Sequence, residues 1–164
     1  MVTDNLFQPT GDTARWRTRF DTLRAQHPHG STLRDPQPDL TGWGLYHSPT
    51  WETLFAISPE HEIAHLISLE HIGRAAILAA THHGGLWLLV EDRSWQQKVF
   101  ESCGYQVIAT ADGLPGDPRP WMRYRVALMA NLPPTGHNTP PRSTQTEFDA
   151  AKQQVIAWAK RVTP

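Results

Sequence analysis

Apolar residues recur at helical spacing near both ends of the chain. The first stripe consists of Trp16, Phe20 and Leu23, and the second of Phe148, Ala151, Val155, Trp158 and Val162. Steps of three and four residues place side chains on one face of a helix, so we predict helices over about 13–26 and over 147–162. Asp12 precedes the first helix, and Thr144 and Glu147 have the spacing of a capping box at the second.

Between these helices, short apolar and β-branched runs indicate strands. Trp43–His47 and Trp51–Ile57 flank the turn sequence Ser48-Pro49-Thr50, which predicts an antiparallel hairpin. Leu86–Val90 is apolar at every position, a pattern typical of a strand that is buried on both faces in parallel pairing. Trp121–Ala130 is predicted to form the final strand.

The segment that begins at His61 admits two incompatible predictions. His61, Glu62 and His65 form an H-E-x-x-H motif, and His71 lies at the spacing of a third ligand. On a helix, the two histidines of the motif would face one zinc ion, with Glu62 as the general base of a metallopeptidase. The zinc hypothesis requires this segment to be helical.

The alternative prediction makes Ile63–Leu69 a buried strand. A single helix over 59–83 would be unusually long and would contain Gly73 near its middle, at a cost of about 1 kcal/mol. A strand, a turn over 70–73 and then a helix over Arg74–Thr81 remove both difficulties.

The alternation continues along the chain after that helix. The pair Gly84-Gly85 ends the helix, and Leu86–Val90 follows as a strand. Ser94 caps a second helix, Gly104 closes it, and Tyr105–Thr110 returns as a strand. The segment therefore has the order strand, turn, helix, strand, helix, strand.

This order and two short motifs resemble the GCN5-related N-acetyltransferase family over residues 43–130. The family's cofactor turn is Q/R-x-x-G-x-G/A at the start of a helix, and Glu70, Gly73 and Ala75 occupy its three defined positions. A later family pattern, Y-E-x-x-G-F, is similar to Phe100–Tyr105. The resemblance implies an α/β (α+β mixed) fold with an acetyltransferase-like central mixed sheet flanked by helices, here with an added C-terminal helix.

The resemblance also implies a cofactor, acetyl-CoA or another acyl-CoA, held at the turn. Its expected binding residues are Glu70, His71, Ile72, Gly73, Arg74 and Ala75. Small residues let the backbone approach a pyrophosphate, and the amides of a helix N-terminus bind it. The chain departs from the family at Glu70, which replaces glutamine or arginine, and at Phe100, which replaces the tyrosine that often protonates the leaving thiolate.

Acyl transfer to an amine needs a base for the ammonium proton and an acid for the leaving thiolate. We expect Glu91, which follows the strand Leu86–Val90, to be the base and Cys103 to replace the missing tyrosine as the acid. Tyr105 and Tyr124 carry a suitable hydroxyl group, but the sequence does not place them near the site.

Composition and charge limit the partners and the cellular compartment that we expect. A formal charge of −1 over 164 residues gives no electrostatic reason to expect a nucleic acid or an acidic membrane as partner. The single cysteine excludes an internal disulfide and favours a reducing compartment. Because the sequence shows neither a signal peptide nor an apolar stretch of membrane-spanning length, we expect a cytoplasmic protein.

The predicted organisation is an acetyltransferase-like domain over 1–132, a Pro/Thr-rich linker over 133–146 and an amphipathic helix over 147–162. Three functions stay open: an acyl-CoA-dependent N-acyltransferase acting on a small-molecule or protein amine, a non-catalytic interaction module on the same fold, and a zinc metallopeptidase. The apolar stripe of the last helix needs a partner, either the domain's own sheet or a second copy in a homodimer.

Overall fold

The computed structural model describes residues 6–28, 39–112, 125–131 and 144–163. The chain divides into two compact units, Met1–Gly85 and Leu86–Pro164. Within the described ranges, four helices and two antiparallel sheets form a mixed α+β protein, which confirms the predicted class at that level. None of the described helices is long and apolar enough to cross a membrane.

The first unit is built on an antiparallel sheet whose strands are ordered β1-β2-β3-β4. Its elements are β1 (Gln8–Pro9), α1 (Thr13–Gln26), β2 (Gly44–His47), β3 (Thr53–Ile57), β4 (Ile63–Ser68) and α2 (Gly73–His82). The pairing of β2 with β3, with Leu45 opposite Ala56, confirms the predicted hairpin. Strand β1 was not predicted, because two residues that include a proline carry no strand pattern.

Helix α1 packs on this sheet through its predicted stripe. Asp12 caps the helix by accepting a hydrogen bond from the Arg15 amide at 3.0 Å. The Trp16 indole N–H donates to the Tyr46 carbonyl at 3.1 Å, which ties the helix to β2. The buried residues of the shared core are Trp16, Phe20, Leu23, Leu40, Leu45, Leu54, Ala56 and Ile67.

The contested segment is a strand, and the helix that the zinc hypothesis requires is therefore wrong. Strand β4 spans Ile63–Ser68, and helix α2 spans Gly73–His82, each limit within one residue of the alternative prediction. Ile63, His65 and Ile67 are buried, whereas the residues between them are partly exposed. This period of two is the pattern of a half-buried strand, and it decides between the two structures.

A β-bulge interrupts β4 near its middle. Leu54 pairs with Ile67 and Ala56 pairs with Ala64, so three steps along β4 match two steps along β3. His65 lies within the bulge at a φ of 54°, in the left-handed region of backbone conformation. Bulges bend a strand locally and are common next to active sites.

The second unit contains a three-stranded antiparallel sheet in the order β5-β7-β6. Its elements are β5 (Trp87–Glu91), α3 (Trp95–Ser102), β6 (Gln106–Asp112), β7 (Arg125–Ala130) and α4 (Gln145–Val162). The parallel pairing expected for β5 is not what the described strands show, because β5 pairs antiparallel with β7. An unbroken apolar run indicates only that both faces of a strand are covered. In this unit helices α3 and α4 contact the sheet, and such cover does not require the strands to be parallel.

Helix α4 covers one face of the second sheet. Thr144 and Glu147 form the predicted capping box. The stripe is confirmed at Phe148 and Val155, but towards the end of the helix Ile156 and Ala159 are buried, while Val162 is 53% exposed. The predicted stripe advances by seven residues every two steps, and seven residues fall about 20° short of two full turns, so the stripe drifts off the buried face along the helix. The core shared with the sheet consists of Trp87, Leu89, Ala109, Ala111, Val126, Leu128, Ala130, Phe148, Val155, Ile156 and Ala159.

Helix α3 also has its predicted limits. Ser94 caps it by accepting a hydrogen bond from the Gln97 amide, and Gly104 follows it at a φ of 96°. Of the predicted final strand, Arg125–Ala130 is observed, and positions 121–124 lie outside the described residues. Positions 133–143 of the predicted linker also lie outside them, so the predicted division at residue 132 stays a prediction.

Candidate cofactor-binding site

Helix α2 differs from the other described helices in how it begins. Asp12, Ser94 and Thr144 cap the N-termini of α1, α3 and α4 with side-chain oxygens, whereas the N-cap residue of α2, Ile72, makes no side-chain cap hydrogen bond. The first turn of α2 contains no acidic residue, which is also true of α1 and α3. The first amides of a helix carry a partial positive charge and need an acceptor, so an uncapped N-terminus favours an anion.

The backbone at the start of α2 is open to approach. A Cβ atom built on Gly73 would have no atom within 4 Å apart from its chain neighbours and the backbone of its own helix. The amide of Ala76 donates to the Ile72 carbonyl at 3.0 Å, so the regular helical bonding begins one turn into the helix. A phosphate group could therefore reach the amides of Gly73, Arg74 and Ala75 without displacing a side chain from Gly73.

The carboxylate of Glu70 is hydrogen-bonded to the hairpin that joins β2 and β3. The hydroxyl groups of Thr50 and Thr53 each donate to one of its two oxygens. Partial burial raises the pKa of Glu70, and the hydrogen bonds from Thr50, Thr53 and Ser48 lower it by more, so its pKa lies below the ordinary value of a glutamate. These hydroxyl groups thus fix the position of the Glu70 carboxylate and favour its charged form.

These hydroxyl groups belong to a connected set, here called the hydroxyl cluster, formed by Ser48, Thr50, Thr53 and Ser68. The hydroxyl oxygens of Thr53 and Ser68 are 2.8 Å apart, and those of Ser48 and Thr50 are 3.2 Å apart. Ser48 and Thr53 are buried. The sequence did not predict this cluster. Thr53 and Ser68 are paired between β3 and β4, but the register that pairs them includes a bulge, and the sequence carries no signal for that bulge.

The residues of the zinc motif lie in separate structural settings. The ring nitrogen Nδ1 of His61 is 3.1 Å from the Gly84 carbonyl, which it reaches as a donor when protonated. His65 is buried inside β4, with ring contacts to Trp16, Phe20 and Trp43. His71 has a φ of 58° in the turn before α2. Over the residues that the structure describes, no group of three or more His, Cys, Asp or Glu side chains could hold a metal ion.

The two expected catalytic residues lie at opposite ends of the second sheet. Glu91 is exposed at the end of β5, opposite Val126. Cys103 is partly buried at the end of α3, and the next residue, Gly104, approaches Asn131 beside the first residue of β5. Four steps of about 3.3 Å along β5 separate the two ends by about 13 Å. Glu91 and Cys103 are therefore not brought together in the described unit.

Phe100, which stands where the resemblance to the acetyltransferases would place a tyrosine, is a core residue. Phe100 is 6% exposed, and its ring packs edge-on against Tyr105 with 5.5 Å between the centroids. Tyr105 is itself buried, with 2% of its surface exposed. Tyr124 lies outside the described residues. Phe100 has no hydroxyl group, and the side chain that carries the hydroxyl group of Tyr105 is buried.

Comparison of the chain with protein-family models, with curated proteins and with solved structures finds no match.

Proposed function

We propose that this protein binds an acyl-CoA through the first turn of α2, and that it belongs functionally with the N-acyltransferases. The observation that carries the proposal is the uncapped N-terminus of α2, with Gly73 open to approach and no acidic residue in the first turn. The amides of Gly73, Arg74 and Ala75 would hold the pyrophosphate of the cofactor. The preceding strand, turn and helix have the order on which the resemblance to acetyltransferases rests.

The negative charge of Glu70 bears directly on an anionic ligand at this turn. The lowered pKa of Glu70 favours its charged form, which repels a pyrophosphate. Hydroxyl groups of Thr50 and Thr53 hold both carboxylate oxygens on the hairpin. The amides at the start of α2 must therefore offset this repulsion for the proposed ligand to bind.

Transfer of the acyl group to an amine forms a C–N bond and breaks the C–S bond of the thioester. The amine must lose a proton, and the thiolate of coenzyme A must gain one. Glu91, the proton acceptor expected from the sequence, is exposed at the end of β5 in the second unit, and α2 belongs to the first. The amine acceptor itself, a small molecule or a protein, is not specified by any described side chain.

A second candidate, an acyl-CoA-binding interaction module without turnover, is favoured by one observation. Phe100 fills the position of the family's proton donor with a buried hydrocarbon ring. Cys103, the expected replacement, lies at the far end of the sheet from Glu91. Binding and turnover are therefore separate questions with separate measurements.

Binding is tested with a charge placed at the helix N-terminus. In Gly73→Glu, the new side chain enters open space, and a carboxylate in the first turn stabilises a helix by about 0.3–1 kcal/mol. We expect Gly73→Glu to melt no lower than the parent protein and to lose coenzyme A binding in calorimetry. Gly73→Ala is the matched control, since alanine favours the helix and adds no charge. Absence of binding by the parent protein at millimolar coenzyme A would contradict the proposal.

Turnover is tested with acetyl-CoA and a panel of primary amines, by following release of free thiol. An N-acyltransferase should release thiol only when an amine is present, and the rate of that release in Glu91→Gln tests the base expected from the sequence. If coenzyme A binds and no amine supports release, the interaction module is the better description.

A further inference from the structure

The turn between β4 and α2 has a conformation that the chain does not prefer by itself. His71 has a φ of 58°, a left-handed conformation that is uncommon for residues other than glycine. Such a residue keeps this conformation only when its surroundings hold it there. The neighbouring contacts of the turn therefore determine where α2 begins.

Those contacts tie the turn to the β2–β3 hairpin and to the end of β4. The Leu69 amide donates to the Glu52 carbonyl at 3.0 Å, and the Glu70 amide donates to the Ser68 hydroxyl at 3.2 Å. The Glu70 carboxylate accepts from Thr50 and Thr53. The residue directly before His71 is thus fixed through both its backbone and its side chain.

The hairpin is itself anchored to α1. Arg19 donates from Nε to the Trp51 carbonyl at 2.7 Å, and the guanidinium of Arg15 lies 3.9 Å from the centre of the Trp51 ring. The ring of His47 stacks on Trp51 at 3.7 Å between centroids. Trp51 has a φ of 60°, so this side of the hairpin is also held in a left-handed conformation by its contacts.

We infer that Glu70 is a positioning residue, which, with the hydroxyl cluster, holds the turn so that the first amides of α2 are arranged for the cofactor's pyrophosphate. This inference rests on the proposed function for the identity of the ligand, but the holding of the turn is a property of the free protein. Glu70 does not contact the cofactor in this scheme. It acts through the backbone of His71 and Ile72.

The sign of one substitution distinguishes positioning from simple charge. If Glu70 acted on the ligand only as a negative charge, Glu70→Gln would remove a repulsion and tighten coenzyme A binding. If it positions the turn, the substitution removes a charge-assisted acceptor and weakens binding. We expect the dissociation constant of coenzyme A to rise in Glu70→Gln, and a fall would overturn the inference.

A matched set of variants at β3 separates positioning from general stability. Thr53→Val keeps the shape of the side chain and removes its hydroxyl group, whereas Thr53→Ser keeps the hydroxyl group. Ser58→Ala is the control, because the Ser58 hydroxyl accepts from the Glu60 and Glu62 amides at the other end of the same strand. Thr50→Val, at an exposed position, repeats the test if Thr53→Val fails to fold.

Coenzyme A affinity is measured by calorimetry, and turn protection by amide hydrogen exchange at Leu69 and Glu70. If the turn populates its binding conformation one-tenth of the time in Thr53→Val, the dissociation constant rises about tenfold. We expect that rise together with faster exchange, values for Thr53→Ser within about twofold of the parent, and a changed melting temperature without changed affinity for Ser58→Ala. Unchanged affinity in Thr53→Val would overturn the inference.

Failure of the proposed function would be seen separately. If the parent protein does not bind coenzyme A, the acyl-CoA proposal fails, and the exchange measurement alone decides the holding of the turn. Faster exchange at Leu69 and Glu70 in Thr53→Val then supports it, and unchanged exchange overturns it.

Discussion

Removing the ring of Phe148 is expected to destabilise the second unit strongly. Phe148 is fully buried in the core that α4 shares with the sheet. Transfer of such a side chain from water contributes about 2–3 kcal/mol, and the cavity left by Phe→Ala raises the usual cost to about 3–5 kcal/mol. We therefore expect Phe148→Ala to lower the free energy of unfolding by at least about 3 kcal/mol. Urea denaturation followed by circular dichroism measures this change.

Two positions on the same helix provide the controls. Gln153 is exposed, so Gln153→Ala should change the free energy by no more than about 0.5 kcal/mol. Trp158 is only partly buried, so Trp158→Ala should fall between the two despite its larger ring. A Phe148→Ala protein as stable as Gln153→Ala would refute the docking of α4. Light scattering of the same proteins tests the predicted homodimer, which would have to use surface other than the Phe148 contact.

Three further predictions concern the first unit. A Cβ atom on Gly85 would lie 2.5 Å from Ile63 Cγ1 and 3.0 Å from the Ala80 carbonyl oxygen. Gly85→Ala should therefore lower the free energy of unfolding by about 1–3 kcal/mol through overpacking. Gly11→Ala, with open space around the added carbon, should leave that free energy nearly unchanged in the same denaturation assay. Because the folded-state pKa of Glu70 lies below its ordinary value, its contribution to stability is present at neutral pH and is lost as the pH falls below the ordinary value and through the lowered one. An acid titration of unfolding free energy should therefore be less steep in that range for Glu70→Gln than for the parent. Metal analysis of untagged protein should find no stoichiometric zinc, because His65 is buried within β4 whereas His61 lies before that strand. One equivalent that disappears on substituting both histidines would contradict this.

Local signals in the sequence were sufficient for the elements between residues 63 and 112. Gly84 and Gly104 adopt positive φ values of 93° and 96° after α2 and α3, a conformation that glycine adopts without strain. Ser94 caps α3 as its position predicts. Such start and stop signals act within a few residues, so they are visible without knowledge of the fold.

Pairing partners and the site's surroundings depend on distant residues. The apolar run of β5 could not reveal that its neighbour is β7 and antiparallel, since the sequence of one strand does not specify its partner. The pattern around Glu70 indicated the turn and its glycine, but the contacts from Thr50 and Thr53 come from another strand. The left-handed conformations of Trp51, His65 and His71 occur at residues that give no signal for them.

The docking of α4 has a consequence for the order in which the chain folds during synthesis. The described strands of the first unit each pair with their neighbours along the chain, so that sheet can form from a nascent chain that has emerged as far as β4. In the second unit, β5 pairs with β7 across an intervening helix and strand, and its core lacks Phe148 and Val155 until α4 has been made. If synthesis stalls after β7, the first sheet is therefore complete, and the second sheet has one apolar face uncovered. Chaperones bind exposed apolar surfaces of this kind, and chains that display them aggregate.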